Sequence, residues 1–232
     1  MSGPRYAIYY SPAPGSALWR KGAKWLGRDA HSGESLDFPQ NLAIDDWGSL
    51  SSSPRRYGFH ATLKPPMHLV SGVSEDALIS ALSEWASKRV PFYVRLRCAA
   101  LGRFIALVPA DDASANALSE LAGACVLDFE HWRAPLTQDD IDRRRKSALS
   151  PAQDALMLRY GYPYVLDEFR FHMTLSNSIE DGEMRERVIE TADRWFAQEI
   201  SESIIIDRIA LFREASPGDD FMYCQSFEFA RL

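Results

Sequence analysis

The chain has 232 residues, 46% of them hydrophobic and 25% charged, enough to bury a sizeable core as one large domain or two small ones. Its net charge of −6 and pI near 5.4 count against a sequence-independent binder of bulk nucleic acid, which needs a broad basic surface. No stretch reaches the roughly 20 consecutive apolar residues that span a bilayer, and the 3 cysteines, Cys98, Cys125 and Cys224, form neither a Cys-x-x-Cys pair nor a disulfide framework. A cytoplasmic protein with no membrane partner is the expectation.

Tyr6–Tyr10 reads as a strand, and after a Pro/Gly break at 12–15 a helix is expected over about 16–28. Residues 31–55 are polar and read as a loop, with mobility expected. A strand then carries His60-Ala61-Thr62-Leu63 and is expected to end at Lys64-Pro65-Pro66, since proline cannot continue a ladder. Ser74 caps an amphipathic helix with Ala77, Leu78, Ala81, Leu82 and Trp85 on one stripe. Strands are expected near 92–99 and 104–108, then a helix over 113–126 and a helical insert near 137–160. A strand over 169–176 carries His172-Met173-Thr174-Leu175, followed by a helix over 181–198 and two strands near 203–212 and 221–229.

The tetrad His-x-Thr-Leu thus occurs twice, half a chain apart, in a sequence with 5 histidines and only four threonines. Each copy precedes a helix that ends in a tryptophan, Trp85 and Trp195. This points to an internal duplication and to an α+β fold. Two pseudo-symmetric lobes are expected, roughly 1–110 and 111–232 of a single domain. Each would be an antiparallel-rich sheet with helices on its outer face, and an active-site cleft would lie between them.

On a strand, residues i and i+2 share a face. His60 projects with Thr62, and His172 with Thr174, while Leu63, Leu175, Phe59 and Phe171 point to the helices. The same parity puts Lys64 and Arg170 on the histidine side. Each lobe would therefore offer one imidazole, one hydroxyl and one cation. Imidazole exchanges protons near neutral pH, so one histidine can act as base and the other as acid. The threonines would hold phosphate oxygens, and Lys64 or Arg170 would offset charge. No metal site and no cofactor are expected. Histidine on a strand is most often structural, and the duplication is what argues otherwise. Aromatic residues Tyr9, Tyr10, Tyr57 and Phe212 read first as core. Arg143-Arg144-Arg145-Lys146 reads as a solvated helix face, and His31, His68 and His131 as surface residues.

Paired His-x-Thr motifs of this kind resemble the two-histidine phosphoesterase superfamily, which includes RNA 2′,3′-cyclic phosphodiesterases. The strings Arg5-Tyr6-Ala7-Ile8-Tyr9-Tyr10, Trp25-Leu26-Gly27-Arg28-Asp29 and Pro54-Arg55-Arg56-Tyr57-Gly58-Phe59-His60 resemble a branch associated with phosphonate-utilisation operons, nearly end to end. The resemblance implies a bilobal fold and a metal-independent cyclic phosphodiesterase using His60, Thr62, His172 and Thr174. The substrate it implies is a phosphorylated ribose carrying a 1,2-cyclic phosphate. RNA-end processing and a non-catalytic phosphometabolite-binding protein are the alternatives. Sequence leaves open the bond broken, which histidine is the acid, and the oligomeric state.

Overall fold

The computed structural model describes residues 3–40, 42, 44 and 46–230. Nine strands and eight α-helices occur among them. β1 (Arg5–Tyr10) leads to α1 (Ala17–Leu26), α2 (Trp47–Leu50), α3 (Ser52–Tyr57) and β2 (Ala61–Met67). α4 (Glu75–Ser87), β3 (Phe92–Val94), β4 (Leu96–Leu101), β5 (Phe104–Pro109) and α5 (Asp112–Asp128) follow. Then come α6 (Gln138–Arg145), α7 (Pro151–Tyr160), β6 (Met173–Thr174), α8 (Gly182–Ile200), β7 (Ile204–Ile206), β8 (Arg208–Glu214) and β9 (Met222–Glu228).

Helix ends fall where the sequence places stop and start signals. The Ser16 hydroxyl accepts from the Trp19 N–H to start α1, and Gly27, in the left-handed region at φ 72°, ends it. Ser74, Asp111 and Asp181 cap α4, α5 and α8 in the same way. Thr137 and Ser150 each form a reciprocal capping box, with Asp140 and Gln153.

Seven strands make one sheet in the order β4-β5-β6-β2-β1-β8-β9, every pairing antiparallel, while β3 and β7 form a separate ribbon. The fold is therefore α+β with an antiparallel sheet, as expected. A boundary near residue 110 does not separate two sheets, however. β5 from the first half pairs with β6 from the second, and β8 pairs back with β1, so the two halves interleave and the tetrad strands β2 and β6 become neighbours mid-sheet. Adjacent tetrad strands satisfy each other's backbone groups, which two isolated lobes would leave as open edges.

One face of the sheet is covered by helices. Tyr6, Ile8 and Tyr10 of β1 pack there with Leu63, Leu175 and the apolar stripes of α1, α4, α5 and α8. Ala7 and Tyr9 point the other way, into a smaller cluster with Phe212 and Phe221. Burial of the first face supplies the hydrophobic driving force and leaves the second free for polar work.

Three expectations are corrected. β2 runs through Pro65 and Pro66 to Met67. The prolines are tolerated because the β1 pairing is irregular between Tyr6 and Ile8, and β6 on the other side is too short to reach them. The second tetrad strand is laddered only at Met173–Thr174, not over 169–176. The polar stretch 31–55 holds α2 and most of α3, and positions 41, 43 and 45 of it lie outside the described residues. Asn177, two residues past the second tetrad, ties this stretch down: its amide donates to Ser49 O (2.7 Å) and Ser52 Oγ (2.9 Å) and accepts from Ser53 N (2.9 Å).

Candidate active site

The uncovered face of the sheet holds a cavity of about 960 Å³, and His60, Thr62, His172 and Thr174 all line it. The register explains the grouping. Ala61 pairs with Met173 across β2 and β6. Continuing that antiparallel register by one residue sets His60 opposite Thr174 and Thr62 opposite His172. Directly opposed residues lie about 5 Å apart, and the imidazole-bearing positions fall on a diagonal of roughly 7–8 Å. The four side chains form a square with like residues at opposite corners.

Both imidazoles are held by the same device. His60 Nδ1 donates to Gly58 O at 2.8 Å, and His172 Nδ1 donates to Arg170 O at 2.7 Å, each two residues upstream. A carbonyl can only accept, so Nδ1 carries the proton and Nε2 is the nitrogen free for exchange. The Thr62 hydroxyl lies 3.3 Å from His60 Nε2, to which it can donate when the ring is neutral. Tyr9, almost fully buried, stacks under the His60 ring with centroids 3.9 Å apart and fixes its plane. Phe104 approaches His172 at 5.5 Å.

Gly58 is obligatory here. Its φ of 78° with ψ of 178° suits glycine alone, and a Cβ would meet the Ala30 Cβ at 2.5 Å. The strained turn aims the carbonyl that holds His60.

Burial pushes the His60 pKa from 6.5 down to about 4, opposed by the Gly58 hydrogen bond and assisted by the charge of His172. His172 is also lowered, chiefly by burial, against the Arg170 carbonyl. Both rings are therefore neutral at neutral pH until a negative charge arrives between them.

The expected cations are not those the cavity uses. Lys64 is 1% exposed and donates to Glu130 Oε2 at 2.9 Å and Val126 O at 3.1 Å, on the helix side rather than the cavity side. The β-irregularity and the proline pair downstream end the simple alternation that put it beside His60. Burial lowers its pKa against the pull of Glu130. Arg170 is exposed and contributes its backbone carbonyl to His172, and its side chain does not line the cavity.

Positive charge comes instead from Arg5, Arg56, Arg143 and Arg144, with Asp139 and Asp140 as the acidic lining. Arg5 and Arg56 both donate to the carboxylate of Glu214, which is fully buried. Burial raises the Glu214 pKa, but the Arg5 hydrogen bond, the Gly218 N–H and both guanidinium charges outweigh it and hold the group ionised. His68 lines the cavity too, anchored to Pro4 O at 3.0 Å, rather than standing on the open surface. The sequence carried one signal for Arg5: it shares β1 parity with Tyr9. Arg143 and Arg144 reach the cavity only because α6 folds over it, which local pattern cannot reveal.

An α+β protein whose open sheet face bears a duplicated histidine–threonine site is the class that this architecture defines. The chain belongs to the family described as "Protein of unknown function (DUF1045)", which matches residues 62–222. It is also similar to two curated proteins named ribose 1,5-bisphosphate phosphokinase PhnN. With that of Janthinobacterium sp. (strain Marseille) it shares 34% identity over 239 residues, covering 97% of this chain and 51% of the relative. With that of Laribacter hongkongensis (strain HLHK9) it shares 31% over 221 residues, covering 95% and 51%. The chain spans about half the length of these curated relatives. Among solved structures it is similar to a conserved protein of unknown function, ATU0111, from Agrobacterium tumefaciens str. C58, with a TM-score of 0.49 and 12% identity over 98% of this chain and 87% of the other.

No three His, Cys, Asp or Glu side chains gather into a possible metal site among the described residues, and no described helix is long and apolar enough to cross a membrane.

Proposed function

We propose that the protein is a cyclic phosphodiesterase of the two-histidine type that opens a cyclic phosphate on a ribose-containing small molecule. The observation that carries this reading is the His60–Thr62–His172–Thr174 square, with both Nδ1 atoms tied to carbonyls, His60 Nε2 within reach of the Thr62 hydroxyl and His172 Nε2 without a protein partner among the described residues. A cyclic phosphodiester placed over the square meets an imidazole on each side of phosphorus and a hydroxyl for each non-bridging oxygen.

In the reaction, water attacks phosphorus and loses its proton to His60 Nε2. The P–O bond to one ribose oxygen breaks, and His172 Nε2 gives that oxygen a proton. The product is a phosphate monoester beside a free hydroxyl. His60 is left protonated and His172 neutral, and exchange with solvent restores both. His60 is assigned as base because its burial, with the charge of His172 beside it, holds it neutral down to about pH 4. His172, also lowered by burial but opposed by the Arg170 carbonyl, takes the acid role. The threonines stabilise charge as it builds on the non-bridging oxygens. The chemistry routes no step through a metal or cofactor.

The names of the curated relatives support a ribose phosphate as substrate class, and the resemblance of the quoted strings to the phosphonate-operon branch supports a place in phosphonate catabolism. The kinase activity that those names state belongs to proteins about twice as long. The 232 residues contain no G-x-x-x-x-G-K-[ST] phosphate loop, so that activity is not carried over.

Phosphorus-31 NMR tests the proposal. A ribosyl 1,2-cyclic phosphate and a nucleoside 2′,3′-cyclic phosphate are each incubated with the protein, with and without a chelator. The expected result is conversion of a cyclic diester resonance to a monoester, unaffected by the chelator. Persistence of both diesters at high enzyme concentration refutes it, and faster opening of cyclic-ended oligonucleotides favours RNA-end processing.

A further inference from the structure

The tyrosine beneath His60 carries a hydroxyl that the protein itself does not use. Tyr9 is 1% exposed, and its ring lies in an apolar cluster with Ala7, Ala30, Ala210, Phe212 and Phe221. Centroid to centroid, Phe212 stands 5.0 Å away and Phe221 6.3 Å, with the His60 ring at 3.9 Å on the stacked side. A phenylalanine would fill that space and support the imidazole equally well. Among the described residues the Tyr9 hydroxyl neither donates to nor accepts from any protein atom, and its oxygen is open to the cavity that Tyr9 lines. Burying a hydroxyl with no partner is unfavourable, so its partner comes from the cavity.

Register places that oxygen. Tyr9 pairs with Thr62 across β1 and β2, so it flanks the square on the side away from β6 and leans under His60, with the two ring planes 29° apart. For rings stacked in this way, ring dimensions put the phenol oxygen roughly 4–6 Å from His60 Nε2, beyond a direct hydrogen bond and spanned by two bonds through one water. The Thr62 hydroxyl stands 3.3 Å from the same nitrogen, so Nε2 faces a niche framed by a phenol and a hydroxyl. Burial pushes the Tyr9 pKa well above the ordinary phenol value of 10.0. The phenol therefore stays a donor wherever His60 works and does not compete with it as base. His172 has no such companion: its aromatic neighbour is Phe104, at 5.5 Å, which offers no hydrogen-bonding group.

We infer that the Tyr9 hydroxyl holds the attacking water against His60 Nε2, a role that rests on the phosphodiesterase reading of the square. The phenol O–H donates to one lone pair of the water, and one water O–H donates to Nε2. The second lone pair is then left to face phosphorus. As the new oxygen–phosphorus bond forms, that water O–H bond breaks and its proton passes to Nε2. The bond from phosphorus to the ribose oxygen breaks with a proton from His172, and the phenol keeps its own proton throughout. Holding the water in line removes positional freedom before the reaction rather than during it. The duplicated site thereby acquires a direction, since only one of its two histidines has a donor beside it that can hold a nucleophile.

Tyr9→Phe deletes the oxygen and keeps the ring. Wild type and variant are compared in the opening of a ribosyl 1,2-cyclic phosphate, with kcat and KM measured across the pH profile and folding checked by denaturant unfolding. The variant's kcat is expected to fall about tenfold while KM stays within about twofold, because the lost hydrogen bond is to the water and not to the bound diester. The acid limb should stay near pH 4, since the ring that shields His60 remains. The unfolding midpoint should be unchanged, because no protein partner is lost. Tyr9→Leu, which removes the ring as well, should move the acid limb up toward the ordinary histidine value as His60 regains solvent. A Tyr9→Phe protein that turns over at the wild-type rate, shows a rise in KM alone, shifts its acid limb or fails to fold overturns the inference and leaves the phosphodiesterase reading standing. Wild-type protein that opens no diester overturns both.

Discussion

At the residue scale, acid–base assignment turns on how the two imidazoles differ. The free-enzyme profile of kcat/KM should be bell-shaped, since the reaction needs His60 neutral and His172 protonated. Its acid limb should fall near pH 4, where His60 gains a proton, and its alkaline limb below the ordinary histidine value of about 6.5, because burial lowers His172. A rate that keeps rising through pH 8 contradicts the assignment. Lys64 provides a second check at this scale. Lys64→Met should leave KM unchanged, because the ammonium pairs with Glu130 away from the substrate cavity, and Glu130 keeps Arg133 as partner. A KM that rises tenfold would return Lys64 to the substrate. Parity along a regular strand placed Lys64 at the site; the irregular β1–β2 pairing is invisible in the letters, and it decided otherwise.

Elements set those residues in place, and the two tetrads do so differently. In the first, Gly58 takes a backbone conformation open only to glycine and aims its carbonyl at His60. Gly58→Ala should cost about 1–3 kcal/mol of stability by strain alone, and the Cβ contact with Ala30 adds to it. Denaturant unfolding reads this directly, and a neutral substitution would show that the turn is not strained. Glu214 at the end of β8 is the second structural anchor. Glu214→Gln leaves Arg5 and Arg56 without a buried counter-charge and should destabilise by about 3 kcal/mol, the lower part of the range for broken buried pairs because both arginines reach solvent. Most elements were legible: the cap Ser74, the helix starts near 16 and 181, the stripe of α4 and the parity of Leu63 and Leu175 all lie where pattern puts them. The expected loop at 31–55 was not. Its short helices are fixed by Asn177, a contact more than 120 positions away in sequence, and local composition cannot report a distant clamp.

For the whole molecule, interleaving of the halves is the decisive feature. Duplication in the sequence suggested two lobes facing each other, but the strands exchange so that β2 and β6 sit side by side in one sheet. Which strands pair is fixed by tertiary packing, and nothing in the repeat itself distinguishes swapped from sequential pairing. The histidine pair was legible because it rests on a repeat. The arginines were not, since they come from a strand end, the short helix α3 and an insert that meet only in the folded chain. Burying His60 neutral also has a global consequence. Its folded pKa of about 4 lies below the unfolded value near 6.5, so the unfolded chain binds the extra proton between these limits. This contribution to stability is therefore fully present above about pH 6.5 and is lost as pH falls toward 4. The melting temperature of His60→Gln should depend less steeply on pH than that of the wild type in this window, and parallel curves would contradict the burial argument.

The central claim is that two imidazoles work on one phosphorus atom. The most direct measurement is the single-turnover rate of opening a ribosyl cyclic phosphate by wild type, His60→Ala, His172→Ala and the double variant, each shown to be folded. The account predicts a loss of about 100-fold or more in either single variant and a double variant little slower than the worse single, because the two groups act in one transition state. Opening at the wild-type rate by the double variant would contradict it.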